Sequence, residues 1–222
     1  SYLIKNEKIT NDWNSLNTIS ENASTVGSFD LGIYKTNDGS NEILKDLENH
    51  KYGIVYLLGE DSLKFKKQNE FIIYQGSHGD RGAEIADVIL PSPAYTEQNG
   101  LFTNLEGRVQ ECRKASYPPG ESMEDWKIFN LISKHLNNEK LFNNYKDLKK
   151  STIKSIINYS EIDLLPKKVF KFNKKIISNF NNEKISINKV DYYFTNAVAR
   201  ASKTMSECRG ANSNLLKEGT NN

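Results

Sequence analysis

Three short apolar runs constrain this chain more than any other feature. They are Gly53-Ile54-Val55-Tyr56-Leu57-Leu58-Gly59, Phe71-Ile72-Ile73-Tyr74 and Val88-Ile89-Leu90. A continuous apolar run of strand length, stopped by glycine or proline, is the pattern of a strand buried on both faces in a parallel or mixed sheet. Glu60 to Glu70 separates the first two runs, a distance that suits a crossover better than a hairpin. Pro91 closes the third, because it has no N–H for a continuing ladder. Upstream, Trp13, Leu16, Ile19 and Ala23 predict an amphipathic helix over Asp12 to Val26, with Gly27 as its stop. Gly32, Asn37, Asp38, Gly39 and Ser40 have loop composition, and Ile43, Leu44 and Leu47 predict a second short helix. Helix, strand, crossover and strand in succession is α/β layering.

Downstream, Pro118-Pro119-Gly120 predicts a turn, and Ser122 before Met123-Glu124-Asp125 predicts a helix start with acidic residues in its positive first turn. That helix runs to about His135, with Trp126, Phe129 and Ile132 or Leu136 on one face as core residues docked on the sheet. From Asn137 to Lys189 the composition shifts to Asn, Lys and Ile, the character of a variable peripheral segment. Helix is expected there over Tyr145 to Tyr159, and Leu164-Leu165-Pro166 and Val169-Phe170-Lys171-Phe172 could pack as a short extended piece. Ala197, Val198, Ala201 and Met205 predict a small-residue helix within Tyr193 to Cys208, with fraying after Gly210. The expected division is therefore 1–136, 137–189 and 190–222.

Composition excludes several classes of function. Thirty Lys and Arg against 28 Asp and Glu leave a net charge of +2, no field for nucleic acid or an anionic membrane. Hydrophobic residues make up 37% and the mean hydropathy is -0.65, and no run approaches the roughly 18 apolar residues of a spanning helix. No charged-then-apolar leader follows Ser1. Cys112 and Cys208 lack a CxxC partner and read as free thiols. Asn22-Ala23-Ser24 and Asn158-Tyr159-Ser160 fit the glycosylation pattern, which an Asn-rich chain meets by chance.

Candidate chemistry is sparse. His50, His78 and His135 have neither helical spacing nor a cysteine cluster, so no metal site is expected. His78 follows the Phe71 strand at the edge where open α/β sheets place ligands, which makes it the sharpest ligand candidate. Ser77, His78 and Asp80 are neighbours on one loop and read as a polar turn rather than a triad. Gly76, Gly79 and Gly82 lack GxGxxG spacing and are read as permitting a tight turn. Glu97, Asn104, Glu106 and Arg108 are expected to form an ion-pair network holding an irregular loop from Tyr95 to Gln110. No catalytic, cofactor-binding or metal residue is assigned.

A run of motifs carries a resemblance. Phe71-Ile72-Ile73-Tyr74-Gln75-Gly76 continues through Ser77-His78-Gly79-Asp80-Arg81-Gly82-Ala83-Glu84-Ile85-Ala86-Asp87-Val88-Ile89-Leu90-Pro91 to Ala94-Tyr95-Thr96-Glu97. Asn104-Leu105-Glu106-Gly107-Arg108-Val109-Gln110, Pro118-Pro119-Gly120 and Glu124-Asp125-Trp126-Lys127 follow in order, bracketed by Trp13-Asn14-Ser15-Leu16-Asn17 and Arg200-Ala201-Ser202-Lys203-Thr204-Met205. This series resembles the molybdopterin-oxidoreductase-like domain of the large iron-sulfur subunit of respiratory complex I, NADH:ubiquinone oxidoreductase. The Asp87 to Pro91 and Asn104 to Arg108 elements are shared with true molybdopterin oxidoreductases; the His78 loop and Glu124 to Lys127 are more discriminating.

The resemblance implies a partial α/β domain with a parallel or mixed sheet flanked by helices and a helical C-terminal tail. It implies a structural part of the peripheral arm, on the matrix side of the mitochondrial inner membrane, supporting electron transfer from NADH to ubiquinone coupled to proton translocation. The family's cluster-binding cysteines have no counterpart here, so iron-sulfur clusters and FMN are expected in partner chains. A split subunit is expected, with the N-terminal iron-sulfur portion and other peripheral-arm subunits as partners. The rival reading is a fragment of an active molybdopterin-dependent oxidoreductase, with the Arg81 and Arg108 regions near a pterin.

Overall fold

The computed structural model describes residues 19–20, 22–33, 39–61, 63, 65–156, 162–165 and 191–218. Three parallel strands form the main sheet: β1 (Ile54–Leu58), β2 (Phe71–Gly76) and β3 (Val88–Pro91), in that spatial order. Ile54 pairs with Phe71 and Leu58 with Gln75, while Ile73 pairs with Val88 and Gly76 with Pro91. All three apolar runs are therefore strands, and 60–70 is a parallel crossover. The run at β1 departs from its expectation of burial on both faces. It lies at an edge, with Ile54 68% and Leu58 53% exposed, because a sheet of three strands has only one interior strand.

Period-two alternation assigns the faces. Leu57, Ile72 and Tyr74 form a buried cluster on one face, packed with Val55, with Leu63 and Phe65 of the crossover, and with Ala83, Ile85 and Ala86 in and after α3 (Arg81–Ile85). The other face carries Tyr56, Ile73 and Gln75, against which α4 (Asp125–Asn137) docks. The Phe129 ring stacks on Tyr56 at 5.8 Å. Phe129 thus meets the sheet as its spacing predicts, whereas Leu136, 77% exposed, does not. Ser122 is not the helix start. Its N–H closes a turn on Pro119 O and the next N–H bonds Pro91 O, so the helix begins at Asp125 with Glu124 as N-cap.

Upstream, most of the expected Asp12 to Val26 helix lies outside the described residues. A turn at Asn22 to Ser24 leads into α1 (Thr25–Asp30), which runs through the buried Gly27. Gly27 is no stop; its carbonyl takes the Leu31 N–H, and the chain turns at Gly32 with φ +69°. Helix α2 (Gly39–Glu48) forms as predicted but takes Gly39 and Ser40 into its first turn instead of leaving them as loop.

Tyr95 to Gln110 is not an irregular loop. It contains β4 (Gly100–Thr103), which pairs antiparallel with β5 (Val109–Cys112) as a second, two-stranded sheet. Sequence reading missed this hairpin because its strands are short and only half apolar. The charged residues build its turn: Asn104 Oδ1 accepts the N–H groups of Glu106 at 3.0 Å and Arg108 at 2.9 Å. The Glu106 and Arg108 charges stand 4.0 Å apart. Glu97 belongs elsewhere, accepting the Ala94 N–H. Val109 and Ile156 centre a second core with Leu101, Ile153 and Ile162. Ile153 belongs to α5 (Tyr145–Ser155), which is capped by Asn144 and bridged to β5 by Lys149 and Glu111 at 2.8 Å.

The tail is two helices, α6 (Ala197–Ala201) and α7 (Lys203–Glu218), broken at Ser202 where ψ is 121°. Helix continues past Gly210, where fraying was expected. Pro166 and Val169 to Phe172 lie outside the described residues.

The loop glycines answer a packing demand. Neither Gly76 nor Gly82 has positive φ, so the tight-turn explanation fails. A Cβ on Gly82 would lie 2.7 Å from Glu60 O and 2.8 Å from Tyr74 Cδ2, and one on Gly76 would strike the Tyr74 hydroxyl. Gly82→Ala is expected to cost about 1–3 kcal/mol as an overpacked site, read as a lowered denaturation midpoint of the full chain.

Two carboxylates clip β2 at its start. Asp87 Oδ2 accepts the Ile72 N–H at 2.8 Å and Oδ1 pairs with Lys67 at 2.6 Å. Buried Glu70 accepts the Gln68 N–H at 2.7 Å and pairs with His50 at 2.6 Å. Backbone N–H groups first, then Lys67 or His50, hold both acids below their ordinary values of 3.8 and 4.5. A depressed carboxylate contributes stability above its unfolded-state value and loses it as pH falls through the folded one. The unfolding midpoint should therefore fall on acidification below about pH 4.5, and Glu70→Gln with Asp87→Asn should flatten that acid limb.

Candidate functional site

Two polar centres organise the main sheet. The first sits inside it. Gln75, the last polar residue of β2, is fully buried, and a buried amide unpaired would cost about 1–3 kcal/mol. The Tyr56 hydroxyl donates to Gln75 Oε1. Gln75 Nε2 donates to Asp125 Oδ1 at 2.6 Å, and Gln98 Nε2 donates to Asp125 Oδ2 at 3.1 Å. Asp125 is the first residue of α4, so one carboxylate ties helix, sheet and the approach to the hairpin together. Burial first, then the Asp125 charge, raises the Tyr56 pKa above 10.0, which keeps the phenol a donor at neutral pH.

The neighbouring Glu124 accepts the Trp126 indole N–H at 3.0 Å and pairs with Lys127 at 3.2 Å. One turn on, the buried Asn130 holds both backbone groups of Phe142, with Nδ2 to Phe142 O at 2.7 Å and Phe142 N to Oδ1 at 3.0 Å. A cavity of about 440 Å³ opens beside this centre between Tyr95, Phe102, Trp126, Phe129 and Phe142. Sequence reading assigned no role to Gln75, Gln98 or Asn130. The available signal was a polar side chain at an inward position of an apolar run, or amid Ile128, Phe129 and Leu131 on a helix.

The second centre lies at the carboxyl ends of the strands. Arg200 of α6 reaches back so that Nη2 pairs with Asp61 Oδ1, and Nε lies 3.2 Å from Asp80 Oδ2. Asp61 is buried, and its Oδ2 has no hydrogen-bond partner among the described residues. Beneath it the Tyr74 hydroxyl donates to His78 O. His78 Nδ1 lies 2.9 Å from Ser77 Oγ, but the Asp80 carboxylate faces Arg200, so among the described residues no carboxylate orients this imidazole as a triad requires.

Comparison with known proteins decides the family. Residues 1–135 match molybdopterin oxidoreductase, and residues 172–208 match the C-terminal family of the NADH-ubiquinone oxidoreductase G subunit. The chain belongs to the molybdopterin oxidoreductase family. Within that family it corresponds to part of the large subunit of NADH-quinone oxidoreductase. It is 38% identical over 208 residues to the NADH-ubiquinone oxidoreductase 75 kDa subunit of Reclinomonas americana, covering 90% of this chain and 29% of that protein. It is 37% identical over 210 residues to the NADH-quinone oxidoreductase G subunit of Rickettsia bellii, covering 94% and 29%. The mitochondrial 78 kDa subunit of Candida albicans is 35% identical over 208 residues, covering 89% and 28%. The chain thus spans under a third of the length of the curated relatives it matches.

The family's cofactor does not fit the described residues. A pterin phosphate at the carboxyl edge of the sheet would meet Asp61 and Asp80, and Arg200 is already committed to both. Arg108 of the rival reading serves the hairpin turn, with Nη1 donating to Asp163 O at 3.3 Å, and Arg81 is exposed at the start of α3. No group of three or more His, Cys, Asp or Glu that could hold a metal occurs among the described residues.

Asp125→Asn presents one oxygen and one N–H to two amide donors, leaving Gln75 or Gln98 unpaired. The expected cost is about 1–3 kcal/mol, measured by chemical denaturation. Gln98→Ala, at the solvent side of the same carboxylate, should cost less.

Proposed function

We propose that this chain is an architectural, cluster-free part of the peripheral arm of NADH:ubiquinone oxidoreductase, the proton-translocating NADH:ubiquinone reductase. The carrying observation is that the motif residues behind the family resemblance are spent on holding elements together. Asp125 joins helix to sheet, Glu124 holds Trp126 and Lys127, Asn104 closes the hairpin, and Arg200 ties the tail to the sheet edge. In this reading no side chain of the chain is catalytic, and its cysteines ligate nothing; Cys112 is half-buried and Cys208 exposed, and both are free.

Electrons pass from NADH to ubiquinone through FMN and iron-sulfur clusters held by partner chains. The partners are the N-terminal iron-sulfur portion of the same subunit and other peripheral-arm subunits, on the matrix side of the mitochondrial inner membrane. Relatives named as mitochondrial subunits support that location. No helix among the described residues is long and apolar enough to cross a membrane. In this reading residues 1–136 are the C-terminal portion of a molybdopterin-oxidoreductase-like domain, 137–189 a variable Asn- and Lys-rich segment, and 190–222 a C-terminal helix and tail.

A tagged chain should co-migrate on a native gel with NADH dehydrogenase activity and, once separated, hold no stoichiometric iron. Migration apart from that activity, or stoichiometric iron in the separated chain, overturns the reading.

A further inference from the structure

The cavity beside Asp125 combines aromatic walls with a single charge. Its volume is about 440 Å³, and Tyr95, Phe102, Trp126, Phe129 and Phe142 line it. That volume falls in the range of ligand pockets, roughly 300–1,000 Å³. Among the described residues that line it, Asp125 is the only charged one. Tyr95, 57% exposed, and Leu141, 48% exposed, stand at its rim, so the cavity is reached from solvent.

Asp125 is half-buried, and each of its oxygens accepts from one neutral amide, Gln75 on Oδ1 and Gln98 on Oδ2. An ionised carboxylate offers about four acceptor positions, so each oxygen keeps capacity for a further donor. No described cation pairs with it. Lys127 and Lys114 are drawn to Glu124 instead, at 3.2 and 3.9 Å. The first turn of α4 supplies only a partial positive charge, and a carboxylate withdrawn from water without a full counter-charge is costly. Aromatic rings favour the same guest, because their electron-rich faces attract cations.

We propose that this cavity receives the guanidinium group of an arginine side chain presented by another polypeptide of the assembly. A guanidinium is a planar fork whose parallel N–H groups meet both oxygens of one carboxylate, and it is weakly hydrated and stacks on aromatic rings. A lysine ammonium is a strongly hydrated point charge that neither forks nor stacks. The arginine cannot come from this chain. Its arginines are Arg81, Arg108, Arg113, Arg200 and Arg209, all of them described residues. Arg200 pairs with Asp61, Arg209 with Asp191, and Arg108 donates to Asp163 O. Arg81 and Arg113 are exposed, and neither lines the cavity. The inference rests on the proposed place of the chain in an assembly and names one contact that would hold it there.

Photo-crosslinking from the rim of the cavity, in the assembled NADH dehydrogenase, tests it. A photoreactive amino acid in place of Leu141 should capture one stretch of another polypeptide, and that stretch should contain an arginine. Replacing that arginine with lysine should speed release of this chain from the assembly on the order of tenfold or more. Asp125→Asn should speed release to a similar degree, and the two changes together should do little more than either alone. Crosslinks only to residues 166–190 of this chain, to a stretch without arginine, or to no polypeptide overturn the proposal and leave the architectural reading standing. Unchanged release after the arginine is replaced, or fully additive effects, overturn it in the same way. Absence of the chain from the assembly overturns both. Replacing the partner's arginine leaves this chain unaltered, so that measurement decides if Asp125→Asn fails to fold.

Discussion

Gln75 reaches the end of the central strand with no access to water, and both atoms of its amide must be bonded within the protein. Tyr56 from the neighbouring strand satisfies the oxygen, and Asp125 from the first turn of α4 satisfies the nitrogen. Because Asp125 also accepts from Gln98, the segment leading into the hairpin is fixed to the same point. Apolar packing alone, Phe129 on Tyr56, would let α4 slide along the sheet. The directional bonds fix its register, and through it the positions of Asn130, Phe142 and the cavity walls.

A second constraint acts at the opposite face. The Tyr74 ring fills the space between β2 and α3, and Gly76 and Gly82 have no side chain because that ring already occupies the volume. The glycine-rich loop after β2 therefore resembles a ligand-binding loop in composition while Gly76 and Gly82 accommodate an internal aromatic group. Arg200 closes the same edge from the tail by pairing with Asp61 and Asp80. A region that in an open α/β sheet would receive a ligand is here lined with carboxylates and met by the chain's own guanidinium. Family membership and chemistry thus separate: the fold is that of molybdopterin oxidoreductases, and the residues at the crevice suit structure rather than an anionic cofactor.

Much of the fold was legible in the apolar runs. β1, β2 and β3, the parallel crossover and the helix carrying Phe129 follow from run length, stop residues and helical spacing. Helix limits were less so: Ser122 resembles a cap, but the turn at Pro119 and the bond from Met123 to Pro91 delay the helix to Asp125. The hairpin escaped because Val109-Gln110-Glu111-Cys112 is half polar, and its identity as a strand rests on pairing with Gly100 to Thr103 and on burial of Val109 under α5.

The sequence by itself determined the family, the α/β class and the strands of the main sheet, since these depend on local pattern and on motifs read in order. Only the tertiary structure decided that β1 is an edge, that the loop glycines make room for Tyr74, and that Asp125 and Arg200 act as ties. Each of these depends on which distant groups share a few ångströms of space: Gln75 with Asp125, and Asp61 with Arg200, lie 50 and 139 residues apart in the chain. Spacing along a sequence records local periodicity, whereas burial and pairing are set only when the chain closes on itself.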